Sequence, residues 1–232
     1  MARFNRVTIV GLGLIGGSLG MALRRRGMRV TGYSRKPSTL RAAKRRGAID
    51  AGSTDLRAAV RDVDLVVLAT PVDTIVPLAR RAASLVRPGT VLTDVGSTKG
   101  HVVRSLDRSL PRGVSFVGGH PLAGSERRGI DAASQDLFQG SICILTKTPR
   151  TSVRALRAVT RLWKPLVGRV TGIAPHPTNS NNLYIASAGG GVWHSSPVEG
   201  VRHLTPSSAS LVSIAVGGSV NTATLRQEIR GL

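Results

Sequence analysis

Acidic side chains are scarce in this 232-residue chain: 12 Asp and Glu stand against 33 Lys and Arg, a formal net charge of +21. Aromatic residues make up 3%, and cysteine occurs once, at Cys143. Each shortage excludes something. A single cysteine rules out an intrachain disulfide and a cysteine-rich zinc site. Set in the apolar run "SICIL", it reads as a buried, inert thiol rather than a nucleophile. Few aromatics leave little material for a base-stacking platform. The positive charge would suit a phosphate backbone, yet the cations are scattered, as "RRR" at 24–26 and as pairs at 45–46, 80–81 and 127–128. That pattern reads as solvated surface and argues against a nucleic-acid partner. No apolar run approaches the roughly 18 residues of a membrane span, so no membrane partner is expected. The N-terminus, "MARFNRVTIV", enters a strand pattern at once, and the expectation is a cytoplasmic protein without a signal peptide. His101, His176, His194 and His203 stand in no constellation with acids or other histidines at ligand spacing, so no metal is expected.

What is present is a rhythm. "RVTIV" (6–10) has the β-branched profile of a buried parallel strand. A helix follows, marked by Leu19, Ala22 and Leu23 and stopped at Gly27. Further strands are expected over 28–33, 64–71, 90–95, 114–119 and 141–146. Helices are expected over "STLRAAKRRGA", capped by Ser38 or Thr39, over about 72–86, and from Lys99 onward. Strands alternating with helices imply a mainly parallel sheet with helices on both faces. From about residue 171 the composition turns to Asn, Ser, Gly and Pro with short alternating apolar runs. A boundary is therefore expected at 170–172, with 171–232 forming an irregular β-rich tail.

Between the first strand and its helix lie Gly11, Gly13 and Gly16, spaced G-x-G-x-x-G. The first glycine permits a tight turn, the second lets the backbone approach a pyrophosphate, and the third lets helix and strand pack closely. The amides that open the helix, at Leu14 and Ile15, would then meet phosphate oxygens. The fold expected is a doubly wound, Rossmann-type α/β domain binding NAD or NADP. At the end of the second strand an NAD site usually offers Asp or Glu to the ribose hydroxyls. This chain offers Ser34, Arg35 and Lys36, which favours NADP: no carboxylate repels a 2′-phosphate and two cations can hold one. As ordinary surface charges, Arg35 and Lys36 would carry no such meaning.

The blocks "GLGLIGGSLG" (11–20), "LATPVD" (68–73), "TDVGSTKG" (93–100) and "GGHPLAGSERRGI" (118–130) follow one another in order. With them the chain resembles the prephenate dehydrogenase family of tyrosine biosynthesis over about residues 6–170. The resemblance implies oxidative decarboxylation of prephenate, or of arogenate, with hydride passed to NAD(P)+. It makes His120 the catalytic base and Ser97 the residue that bonds the substrate hydroxyl and orients that histidine. It sets Ser125 and Glu126 near the substrate and Thr70 and Pro71 beside the nicotinamide ribose. Imidazole suits the task, since its pKa lies near neutrality. Each assignment has a plainer competitor. His120 could be a loop residue, Ser97 a helix cap, and Glu126 an ion-pair partner of Arg127 or Arg128.

The family continues into a helical domain that dimerises and supplies an arginine to the substrate carboxylate, and nothing after about residue 171 resembles it. Arg202, Arg226 and Arg230 stand in unrelated contexts, so the family's homodimer interface is expected to be missing. The tail instead resembles a blade of a BNR or sortilin-type β-propeller. A dehydrogenase segment joined to unrelated sequence is the simplest account. Two readings remain beside turnover of a small-molecule substrate: an NADP(H)-binding remnant without catalysis, and a basic nucleic-acid binder.

Overall fold

The computed structural model describes residues 4–148, 150–175, 183–187, 191–196 and 200–204. Six strands make the parallel part of one sheet: β1 (Arg6–Val10), β2 (Arg29–Tyr33), β3 (Ala51–Ser53), β4 (Leu65–Leu68), β5 (Val91–Asp94) and β6 (Ser115–Pro121). They lie in the order β3-β2-β1-β4-β5-β6, so the chain reverses direction of travel across the sheet after β3. Such a reversal opens a crevice at the carboxyl ends of the central strands. β7 (Ile142–Thr146) then pairs antiparallel with β6, and β8 (Arg169–Pro175) runs parallel to β7. β9 (Leu183–Ser187), β10 (Gly191–Ser196) and β11 (Gly200–Leu204) extend the sheet as an antiparallel meander.

Side-chain alternation along each buried strand divides the core into two layers. Val7, Ile9, Leu65, Val67 and Val91 meet one set of helices, α1 (Leu14–Arg24), α2 (Pro37–Arg45) and α6 (Val153–Trp163). Val10, Val66, Leu68 and Leu92 meet the other, α3 (Leu56–Ala59), α4 (Val72–Ala83) and α5 (Gly100–Asp107). The first layer is anchored by Trp163, fully buried, with its ring edge-on to Phe138 at a centroid distance of 5.4 Å. Both faces of the central parallel strands are thus covered, as their continuous apolar runs require.

Several expectations need correction. α2 is capped at Lys36 with Pro37 in its first turn, not at Ser38 or Thr39; proline costs nothing there because that N–H has no helical partner. α6 was not anticipated, although Ser152 caps it through the N–H of Ala155 and its apolar face recurs at 155, 158, 159, 162 and 163. β3 and α3, of three and four residues, were also unforeseen. β8, which spans the residues 170–172 where a boundary is expected, keeps its register with β7 from Arg169 to Ile173. The Pro-Thr-Asn turn at 177–179, His176 and the stretch 205–232, all assigned to the tail, lie outside the described residues.

Candidate functional site

The three glycines answer to three different constraints. Gly11 has φ +95°, and a Cβ there would stand 2.5 Å from the Ala69 carbonyl oxygen, so only glycine fits the turn out of β1. A Cβ on Gly16 would meet the Gly11 carbonyl oxygen at 2.0 Å, which is how closely α1 rides over the turn. Gly13 faces open space, with nothing within 4 Å of its ideal Cβ. That open space is what a pyrophosphate needs if it is to reach backbone amides. Gly13 is also the N-cap of α1; it offers no side-chain cap, and the helix carries no acid in its first turn. The amides of Leu14 and Ile15 therefore keep both their donors and the positive end of the helix dipole for an anion. A dinucleotide phosphate fits the residues present.

The carboxyl ends of the neighbouring strands line the same edge. Beyond β4 come Ala69, Thr70 and Pro71; the Thr70 methyl lies against Gly11, and its hydroxyl accepts from Thr74 Oγ1 at 2.9 Å. Beyond β2 come Ser34, Arg35 and Lys36. The N–H of Lys36 donates to Ser34 Oγ at 3.2 Å, while the side chains of Arg35 and Lys36 are exposed and make no ion pair among the described residues. No carboxylate occupies the position after Tyr33.

His120 belongs to β6 itself, opposite Ile144 of β7, so it is not the loop residue that the plainer reading allowed. Its half-buried imidazole makes no hydrogen bond among the described residues. Burial, and then the nearby Lys99 ammonium, hold its pKa below the ordinary histidine value, so the ring is neutral near pH 7 and able to accept a proton. Cys143 meets the backbone N–H of His120; burial pushes its thiol up to about 12, which leaves it protonated and inert.

Asp94 and Lys99 were not singled out from the sequence, yet they organise this corner. Asp94 is fully buried and surrounded only by donors: the N–H of Gly119 on Oδ1 at 3.1 Å, the N–H of Gly96 on Oδ2 at 3.0 Å, and the Lys99 ammonium. Burial drives Asp94 up and Lys99 down, each opposed by its partner. Three donors and no acceptor favour the ionised pair. The signal was a lone acid in a buried strand, "TVLTDV", with a lysine five residues on.

Ser97 lies on the exposed connection between Asp94 and Lys99 and bonds neither His120 nor the first turn of α5, whose N-cap is Lys99. It is therefore not the cap that one reading allowed. Ser125 accepts the N–H of Arg127 at 3.2 Å. Glu126 is exposed and makes no ion pair with Arg127 or Arg128 among the described residues. The structure thus gathers Gly11, Gly13, Gly16, Thr70, Ser97 and His120 along one edge of adjacent strands, while Ser125 and Glu126 stand on the loop beyond β6. Among the described residues no three His, Cys, Asp or Glu gather as metal ligands, and no helix is long and apolar enough to cross a membrane.

Comparison with known proteins gives the geometry a family. Residues 19–172 match the family described as "Prephenate dehydrogenase, nucleotide-binding domain". Prephenate dehydrogenase of Bacillus subtilis (strain 168) is 38% identical over 161 residues, 68% of this chain and 43% of its own. Cyclohexadienyl dehydrogenase of Zymomonas mobilis is 33% identical over 73% of this chain and 58% of its own. The crystal structure of prephenate dehydrogenase from A. aeolicus in complex with hydroxyphenyl propionate and NAD+ superposes with a TM-score of 0.68. It is 34% identical, over 74% of this chain and 60% of that one. The chain thus spans about half the length of these relatives. It belongs to the prephenate dehydrogenase family through its nucleotide-binding domain.

Proposed function

We propose that the chain binds NADP(H), in preference to NAD(H), and uses it to decarboxylate prephenate oxidatively to 4-hydroxyphenylpyruvate. The observation that carries this reading is the half-buried imidazole of His120 on the sheet edge that also bears the open Gly13 turn. Amides at Gly13, Leu14 and Ile15 hold the pyrophosphate, and Arg35 and Lys36 hold a 2′-phosphate. Thr70 and Pro71 flank the nicotinamide ribose. The nicotinamide ring, when bound, supplies the hydride acceptor. His120 accepts the hydroxyl proton of the substrate carbinol, and Ser97 holds that hydroxyl in line. Loss of CO2 restores aromaticity in the ring, so the remaining task is orientation, which falls to Ser125 and Glu126. The substrate class follows the names of the relatives, and NAD+ with hydroxyphenyl propionate, held by the A. aeolicus protein, has the matching chemistry. A cytoplasmic location and a division into 1–170 and 171–232 belong to the same proposal.

A second reading, cofactor binding without turnover, draws on the exposure of Ser97, Ser125 and Glu126. One assay separates the two. The purified chain is given prephenate with NADP+ or NAD+, and reduced cofactor is followed, with His120→Asn as control. Turnover that vanishes in the variant supports catalysis. NADPH binding without any turnover leaves the second reading, and failure to bind either cofactor overturns both.

A further inference from the structure

We propose that the buried Asp94–Lys99 ion pair is the positioning device of the His120 site: it docks the Ser97 loop onto β6 and sets a fixed positive charge beside the imidazole. The proposal rests on the reading of His120 as the base, and it adds residues that the sequence did not mark.

The geometry is a closed bracket. Asp94 ends β5 and Lys99 is the N-cap of α5, so their contact ties off the connection 95–98, which carries Gly96 and Ser97. The same carboxylate reaches across to β6 and accepts the N–H of Gly119, the residue before His120. On the other side, the stem of Lys99 lies over Gly118, where a Cβ would stand 3.2 Å from its Cδ and 2.9 Å from the Val103 methyl. A Cβ on Gly119 would meet the Asp94 carbonyl oxygen at 2.7 Å. The double glycine thus leaves room for the Val103 methyl and the Lys99 stem at Gly118 and for the Asp94 backbone carbonyl at Gly119. Lys99 is 12% exposed and Asp94 0%, so neither charge is screened as a surface pair would be.

The groups that face His120 are few. Lys99 approaches from the start of α5 with Asp94 as its ion-pair partner, and Cys143 on β7 meets the His120 backbone N–H as a neutral thiol. Arg154, Arg157 and Arg161 of α6, which packs on β6, point to solvent. Lys99 is thus the one cation among the described groups whose charge acts on the imidazole, disfavouring the imidazolium. Ser97 lies on the connection that the same bracket closes.

The test is the titration of the His120 ring by NMR in the substrate-free full chain, compared with Lys99→Gln, Lys99→Arg and the double variant Asp94→Asn/Lys99→Gln. The double variant removes both charges together, so it folds even where Lys99→Gln strands a buried carboxylate. Loss of the lysine charge is expected to raise the His120 midpoint by at least about half a pH unit, roughly threefold in the protonated-to-neutral ratio. Lys99→Arg is expected to keep the parent value. In the turnover assay the acid limb of kcat/KM moves upward by the same amount. A midpoint unchanged in a folded, NADPH-binding double variant overturns the proposal. A parent chain without turnover would defeat the functional reading alone, because the ring titration needs no substrate.

Discussion

Asp94 accepts the backbone N–H of Gly119 through Oδ1 at 3.1 Å, so the residue before His120 is bonded to the end of the neighbouring parallel strand. β6 pairs with β5 through Val117 and with β7 from Gly118 to Pro121, changing partner at this point. The carboxylate bridges the change. Removing it leaves the Lys99 ammonium and two backbone donors buried without an acceptor. Asp94→Ala is expected to cost about 3–5 kcal/mol of stability, the usual consequence of breaking a buried pair on one side. Asp94→Asn, which keeps an acceptor, is expected to cost less. Urea unfolding of the two variants measures the difference; equal midpoints for Asp94→Ala and the parent would mean that the bracket carries no energy.

The glycine turn makes a sharper separation between fold and function. Gly16→Ala drives a methyl into the Gly11 carbonyl, at 2.0 Å, and is expected to unfold the chain or to displace α1. Gly13→Ala meets nothing and sits at φ −82°, so its fold is expected to survive with a thermal midpoint close to the parent. Its methyl instead fills the space that a pyrophosphate needs. NADPH affinity is expected to fall at least about tenfold, or 1.4 kcal/mol. Calorimetric titration of folded Gly13→Ala decides the matter: parent-like affinity would remove Gly13 from the cofactor site.

Cofactor choice turns on two exposed cations. Arg35→Ala and Lys36→Ala are each expected to weaken NADPH by about tenfold, near 1.4 kcal/mol, because each removes one charge-assisted contact to the 2′-phosphate. NADH, which lacks that phosphate, is expected to bind as before. Ser34→Asp should reverse the preference by repelling the phosphate and accepting from the ribose hydroxyls. Parallel fluorescence titrations with both reduced cofactors test this, and equal losses for NADH and NADPH would show a general charge effect instead.

Much of this architecture is visible in the sequence because the parallel strands are apolar on both faces and punctuated by glycine. β1, β2, β4 and β5 stand out for that reason. The glycine spacing is equally open to reading, since each glycine meets a separate steric demand. Other features hide. β3 is Ala-Gly-Ser, with no apolar side chain larger than a methyl to betray it. The strand expected over 114–119 runs on through His120 and Pro121, which the two glycines before a His-Pro pair conceal; those glycines admit the Lys99 stem and the Asp94 carbonyl against the strand. α6 carried a full apolar stripe and a serine cap and could have been found by counting its period. Asp94 itself gives a one-letter signal, whose meaning needs the third dimension: its partners lie two, five and twenty-five residues away.

The last prediction concerns Asp64, at the opposite end of the sheet. Its Oδ2 accepts the N–H groups of Asn5 at 2.9 Å and Arg6 at 3.0 Å, and its Oδ1 accepts from Arg87 at 2.9 Å. Partial burial pushes the carboxyl up, but those three donors outweigh it and hold the pKa below the model-peptide value of 3.8. A carboxyl depressed in the folded state binds its proton more readily when unfolded. Its contribution is therefore present in full above about pH 4 and is lost as pH falls through the lower folded value. Asp64→Asn keeps an oxygen acceptor but loses the charge and places an amide nitrogen against a donor. It is expected to cost about 1–3 kcal/mol at pH 7. That cost should shrink steadily below pH 4, where the parent loses its own advantage. Denaturant midpoints for parent and variant between pH 7 and pH 3 trace both curves. Curves that stay parallel throughout would show that the ionised form of Asp64 does not pin the start of β1.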